Sequence, residues 1–194
     1  MCPLNPYFQN QLNNKRGFSL IELLIGLSIG SIVATSLCLL LLYCNNANEF
    51  AEEKEDVMLN GVYAIEYMED EIRKADEIIA IEKIEGYKDK FNKNFGFVIL
   101  QKDINKNPPN NHILYYLEND CIKRASYKSN VLPRAKDFKS DGGTNTLVES
   151  VKSINNSYVD FNNNIISIDL LFFGKWNKDT KFHTDIHIRC PVKY

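Results

Sequence analysis

Proline, tryptophan and methionine are scarce here: six, one and three in 194 residues. None of the prolines falls between Asn45 and Glu85, so nothing in that interval forbids a continuous helix. A basic stripe is also missing. The net charge is −2 and the lysines and arginines are scattered, which gives no nucleic-acid footprint. Five cysteines occur without a C-x-x-C pair, which argues against a zinc site. No G-x-S-x-G, P-loop, H-E-x-x-H or G-x-G-x-x-G is present, so these enzyme classes have no anchor in the sequence. No internal repeat is seen.

What is abundant is apolar surface in one place. From Phe18 to Cys44 the only ionisable side chains are Glu22, Cys38, Tyr43 and Cys44. That run exceeds the roughly 20 residues that cross a bilayer as a helix. It is too long for the apolar core of a secretory signal peptide, about 7–15 residues, and no A-x-A-like cleavage site closes it. An ordinary signal anchor, with Lys15 and Arg16 held in the cytoplasm and the C-terminus exported, suits the run but does not explain Glu22. A carboxylate in hydrocarbon is costly and calls for a named partner. If the chain were cut after Gly17, Phe18 would carry a free α-amine in the same membrane layer as Glu22. Such an amine on a neighbouring subunit would neutralise the acid.

The stretch Lys15-Arg16-Gly17-Phe18-Ser19-Leu20-Ile21-Glu22-Leu23-Leu24-Ile25 resembles the type IV prepilin signal. The resemblance implies cleavage after Gly17 by a membrane-embedded prepilin peptidase, N-methylation of Phe18 by the same enzyme, and a docking role for Glu22. The small residues Gly26 and Gly30, with Ser31 and Ala34, would let membrane helices approach closely.

Beyond the membrane the helical pattern continues. Val62, Ile65, Met68, Ile72 and Ala75 recur at three- and four-residue spacing, and Glu52, Glu53, Glu55, Glu66, Glu69, Asp70 and Glu71 supply a polar side. Arg73 and Lys74 suit a helix C-terminus. A helix from Phe18 to about Asp76 would span roughly 90 Å at 1.5 Å per residue. Gly61 in its middle marks a close approach or a bend. The domain reading is a leader at 1–17, a membrane or filament-core helix at 18–44, its amphipathic continuation at 45–80, and a β-rich head at 81–194.

In the head, Phe95 to Leu100 reads as a strand. Ile113 to Leu117 and Cys121 to Tyr127 flank a turn at Glu118-Asn119-Asp120. Ile165 to Phe173 and Phe182 to Cys190 form a second hairpin across residues 174–179. The last strand alternates cleanly, with Phe182, Thr184, Ile186, Ile188 and Cys190 on one side. Leu147 to Val151, Val159 and Phe161 add a short element. The segments Asn105 to Asn111 and Lys139 to Thr146 read as loops.

The fold class expected is therefore α+β: a long N-terminal helix packed on an antiparallel sheet. This order, with "GVYAIEYMEDEIRKAD", "ILYYLENDCIKR" and "IHIRC", resembles minor pilins and pseudopilins of the PilW and J-type group. Leu39 stands where many major pilins carry a proline. The resemblance implies a structural subunit rather than an enzyme, without cofactor. Its partners would be the prepilin peptidase/N-methyltransferase, other pilins or pseudopilins, an inner assembly platform and the membrane, crossed once with the head exported. A pilus, a secretion pseudopilus and a DNA-uptake pseudopilus all fit. The reading from another class is a static membrane-anchored adhesin or binding protein.

Other candidates carry less. Cys121 and Cys190 are the one pair that a disulfide could join in the exported part. His183, Asp185 and His187 share a strand face, which reads as solvated rather than metal-binding. Asp103, Asn105 and Asn107 begin like an EF-hand, but Pro108 stands where that loop needs glycine and Leu114 where it needs glutamate. Asp137 and Asp141 before Gly142-Gly143 read as a plain loop. No metal is expected.

Overall fold

Helix formation from Leu20 onward follows from a run rich in Leu and Ile with no proline. A computed structural model describes residues 17–103, 105, 107–140, 142–174 and 178–194. Its first element, α1, is a single 54-residue helix, Leu20–Arg73. By contacts the chain divides at Glu49/Phe50, and the two units are described in turn.

The first unit is helix alone, and every described residue in it is exposed. Leu20 is 79% exposed, Leu27 64% and Leu42 60%. Polar side chains within this apolar half are satisfied locally. Ser28 Oγ donates to the Leu24 carbonyl at 2.8 Å, Thr35 Oγ1 to Ser31 at 2.7 Å and Ser36 Oγ to Ile32 at 2.9 Å. Such back-bonding lets a hydroxyl sit in hydrocarbon without an unpaired donor.

The second unit, from Phe50, holds the rest of α1 and two sheets. Strands β1 (Glu77–Ala80), β2 (Asn94–Lys102), β3 (Asn110–Glu118), β4 (Cys121–Lys128), β5 (Gly143–Val148) and β10 (Val192–Lys193) form one sheet in the order β10-β1-β2-β3-β4-β5. All its pairs are antiparallel except β1 with β10, which is parallel. In the second sheet β8 (Ile165–Phe172) pairs along its length with β9 (Thr180–His187), and at its ends with β6 (Val151–Ser153) and β7 (Tyr158–Asp160). Two short helices, α2 (Tyr87–Lys90) and α3 (Ala135–Ser140), and a 3₁₀ turn at Ile81–Lys83 complete the unit. Both hairpins read from the sequence are present. Glu118 pairs with Cys121, and Asn119 and Asp120 between them both have positive φ, 52° and 57°. That is a two-residue primed turn, in a residue pair that tolerates left-handed backbone.

One face of the six-stranded sheet and the inner face of the second sheet share the main core. Phe95, Phe97, Ile99, Ile113, Tyr115, Ile166, Ile168, Leu170 and Phe172 meet Val57, Ala64, Met68 and Ile72 of α1 there. On the other face Val98, Leu100, Leu114, Tyr116 and Ala125 pack against Phe91, Ala135 and Phe138. Gly96, at φ +87°, sits in the irregular register between Asn94 and Val98, where a β-bulge needs that backbone.

Four sequence expectations need correction. The buried stripe of α1 is Val57, Gly61, Ala64, Met68 and Ile72, and Val62 is 43% exposed. The stripe uses small Gly61 and Ala64 to bring the helix close to the strands, which turns Val62 outward. A Cβ at Gly61 would lie 2.3 Å from the Phe182 ring, so this glycine marks a close approach. The helix ends at Arg73, and Glu77–Ala80 is strand rather than the helix's last turns. Pairing of Ile78 and Ile79 with Ile99 and Val98 outweighs local helix preference, and the Asp76 carboxylate accepts the Lys102 N–H at 2.6 Å. The sheet therefore begins before residue 81. Residues 143–146, expected as loop, belong to edge strand β5, where Thr144, Asn145 and Thr146 pair with Ala125, Arg124 and Lys123. Cys121 and Cys190 are free thiols. Cys121 opens β4 and Cys190 leads into β10, with three strands between them, about 19 Å at 4.8 Å per strand. A disulfide needs Cα atoms within about 7 Å.

Candidate functional site at the helix start

Ser19 and Glu22 decide how the helix begins. The Ser19 carbonyl accepts the Leu23 N–H at 3.2 Å, which makes Ser19 the N-cap. Its hydroxyl accepts the Glu22 N–H at 3.2 Å, and the Glu22 carboxylate reaches back to accept the Ser19 N–H at 2.9 Å. This is a reciprocal capping box, S-x-x-E, and a negative side chain there also suits the positive helix end. The S-x-x-E spacing is legible in the sequence, and it gives Glu22 a local partner within the run, Ser19.

Gly17 and Phe18 precede the first helical residue, and both are exposed, Phe18 by 86%. The bond between them lies outside the helical hydrogen-bond ladder. Phe18, Glu22, Gly26 and Gly30 follow one another at four-residue spacing, and with Leu23 and Leu27 they line a shallow cleft of about 520 Å³. A Cβ at Gly26 or Gly30 would meet nothing within 4 Å, so this row is open to a neighbouring helix. Lys15, Arg16 and the residues before them lie outside the described residues.

The other sequence candidates do not converge on chemistry. His183, Asp185 and His187 are exposed on β9. His183 Nδ1 lies 3.6 Å from Asp169 and its Nε2 3.6 Å from Asp185, while Lys181 pairs with Asp169 at 2.7 Å. The contacts to Asp169 cross from β9 to β8 and the one to Asp185 runs along β9, all of them ordinary for a polar strand face. The Asp137 carboxylate accepts the Arg134 N–H at 2.8 Å, and so serves the start of α3. Asp141 and residues 175–177 of the second hairpin's turn lie outside the described residues.

Two polar arrangements in the head had no sequence signal. Glu71 of α1 receives Arg124 of β4 through Nη2 at 2.7 Å and Nε at 3.1 Å, and accepts the Tyr115 hydroxyl of β3. The Arg124 and Glu71 side chains are only 16% and 12% exposed. Burial, the hydrogen bond to Glu71 and its negative charge together hold the Tyr115 hydroxyl protonated well beyond the usual tyrosine range. His112 of β3 is buried, and its Nδ1 has no partner. Burial lowers its pKa, against a ring N–H bond to the Tyr127 carbonyl and the charge of Glu77.

Residues 12–37 match the family model described as the prokaryotic N-terminal methylation motif, the signal of type IV pilin-like and pseudopilin precursors. No curated protein matches the chain. No solved structure matches it either.

Proposed function

We propose that this chain is a minor pilin or pseudopilin of the PilW and J-type kind, a structural subunit that assembles through its N-terminal helix. The observation that carries the reading is the methylation motif at residues 12–37 running into a capped helix with no buried residue before Phe50. The prepilin peptidase cuts between Gly17 and Phe18 and methylates the new Phe18 amine. Before extraction the helix crosses the membrane once with the head exported. Afterwards its exposed apolar half is covered by the helices of other pilins, and the assembly platform drives that transfer. Glu22 docks on the Phe18 amine of a neighbour, and Gly26 and Gly30 allow close approach on the same row. A carboxylate and an amine that share a membrane layer neutralise one another, which explains why the acid is tolerated there.

The test is the intact mass of the N-terminal peptide from chain extracted from native membranes. A peptide beginning at N-methyl-Phe18 is expected. An N-terminus at Met1 or Cys2, in cells whose peptidase processes other prepilins, overturns the reading in favour of a static anchor.

A further inference from the structure

The solvent side of α1 in the second unit carries an apolar island among acids. Leu59, Val62 and Tyr63 are 61%, 43% and 52% exposed, although they lie beyond the apolar run. At 100° per residue they fall on the side opposite the buried stripe Val57, Gly61, Ala64, Met68 and Ile72. Glu52, Glu55 and Asp56 precede the island on exposed positions and Glu66 follows it. Single exposed apolar residues need no explanation, but a contiguous ridge does.

The same unit carries a surface of opposite character. Ile79, Leu132, Val192 and Tyr194 line a groove of about 410 Å³ beside β1 and β10, and Lys83 and Lys193 stand on its rim. Leu132 is 44% exposed and Tyr194 65%. Lys193 already shares its charge with Glu77 at 2.9 Å, and Lys83 lies in the 3₁₀ turn that follows β1. Apolar floor and cationic rim complement apolar ridge and acidic flanks.

We infer that the acid-flanked ridge around Leu59 and Tyr63 of one subunit seats in the lysine-rimmed groove around Leu132 and Tyr194 of a second copy. Ridge and groove are different surfaces of one chain, so the contact is heterologous. Contacts of that kind propagate into open filaments unless the rotation closes a ring. Six residues line the groove, few against the roughly 20–30 a side of a stable interface. The contact therefore sets register between heads rather than holding the assembly together. The inference rests on the subunit reading above, and names the head surface that this assembly uses.

The experiment places a photo-crosslinking benzoylphenylalanine at Tyr63 of the full chain in its native membrane. The adducts are mapped by mass spectrometry, and the N-terminus of the same sample is read in parallel. The expected product is a covalent dimer joining position 63 to a peptide containing Leu132 or Tyr194. Its yield should fall by roughly tenfold with Glu55→Lys, because like charges then face each other across the contact. A dimer joined between residues 50 and 70 of both copies would overturn the inference, as would an adduct with a different protein or a yield indifferent to Glu55→Lys. Absence of any dimer in processed chain would also overturn it and leave the subunit reading standing. An unprocessed N-terminus would overturn the subunit reading instead.

Discussion

Glu22→Gln and Ser19→Ala separate two roles that meet in one carboxylate. Within its own chain Glu22 accepts the Ser19 N–H at 2.9 Å. A glutamine at that position of a capping box reaches back in the same way, so Glu22→Gln leaves the helix start nearly intact. Ser19→Ala does the opposite. It removes the hydroxyl that accepts the Glu22 N–H at 3.2 Å, at a cost of about 1 kcal/mol in helix stability, and keeps the negative charge. If the charge docks on a neighbour's amine, its loss removes a charge-assisted bond of about 1.5–3 kcal/mol. At 1.4 kcal/mol per factor of ten, that weakens docking by roughly ten- to hundredfold. Glu22 lies four residues from Phe18, about 6 Å along the helix, so the pair stays in one shallow membrane layer.

The assay is the fraction of processed chain recovered in sheared filaments against that left in membranes, with the N-terminal mass as the control for cleavage. Wild type and Ser19→Ala should be close, and Glu22→Gln should be retained in the membrane with a correctly processed N-terminus. Glu22→Gln assembling like wild type while Ser19→Ala fails would refute the reasoning, because Glu22 would then act only as a cap.

Three further outcomes concern the head. Arg124→Met strands the Glu71 carboxylate beside Tyr115 and should cost about 3 kcal/mol, whereas adding Glu71→Gln should recover much of that loss; urea-dependent proteolysis of the detergent-solubilised chain measures both. His112 has a folded pKa below its ordinary 6.5, so its neutral form stabilises the fold above that value and the contribution is lost as pH falls through the folded pKa. The same proteolysis should show stability dropping on acidification below about pH 6.5, and His112→Leu should flatten that part of the curve. Gly61→Ala, favourable by about 1 kcal/mol for an exposed helix, should instead destabilise, since its Cβ would meet the Phe182 ring at 2.3 Å. Phe182→Leu in the same chain should restore part of the loss, and no loss for Gly61→Ala alone would mean the ring yields freely.

The features legible from sequence were those in which one local rule acts alone. The β9 alternation was readable because one face of that strand is solvated: Lys181, His183, Asp185 and His187 are exposed while Ile186 is buried. The Asn119-Asp120 turn was readable because few residue pairs accept two positive φ values. Where tertiary pairing decides, the sequence is silent. Thr144-Asn145-Thr146 has no apolar pattern of its own and becomes strand only because β4 offers an edge. Residues 74–80 suit either helix or strand, and the row Glu77, Leu100, His112 across three strands settles it. The Glu71–Arg124 pair joins residues 53 apart and leaves no periodic trace. Side-chain roles at the helix start were half legible for a related reason. The apolar run makes Glu22 conspicuous, but only geometry shows Ser19 holding it. The acid is therefore not bare in its own subunit. In the proposed docking a neighbour's amine would share a carboxylate that already has one donor, and a carboxylate has acceptor sites enough for both. Docking of that kind would add a bond without breaking the cap, so the helix start needs no partner in order to form.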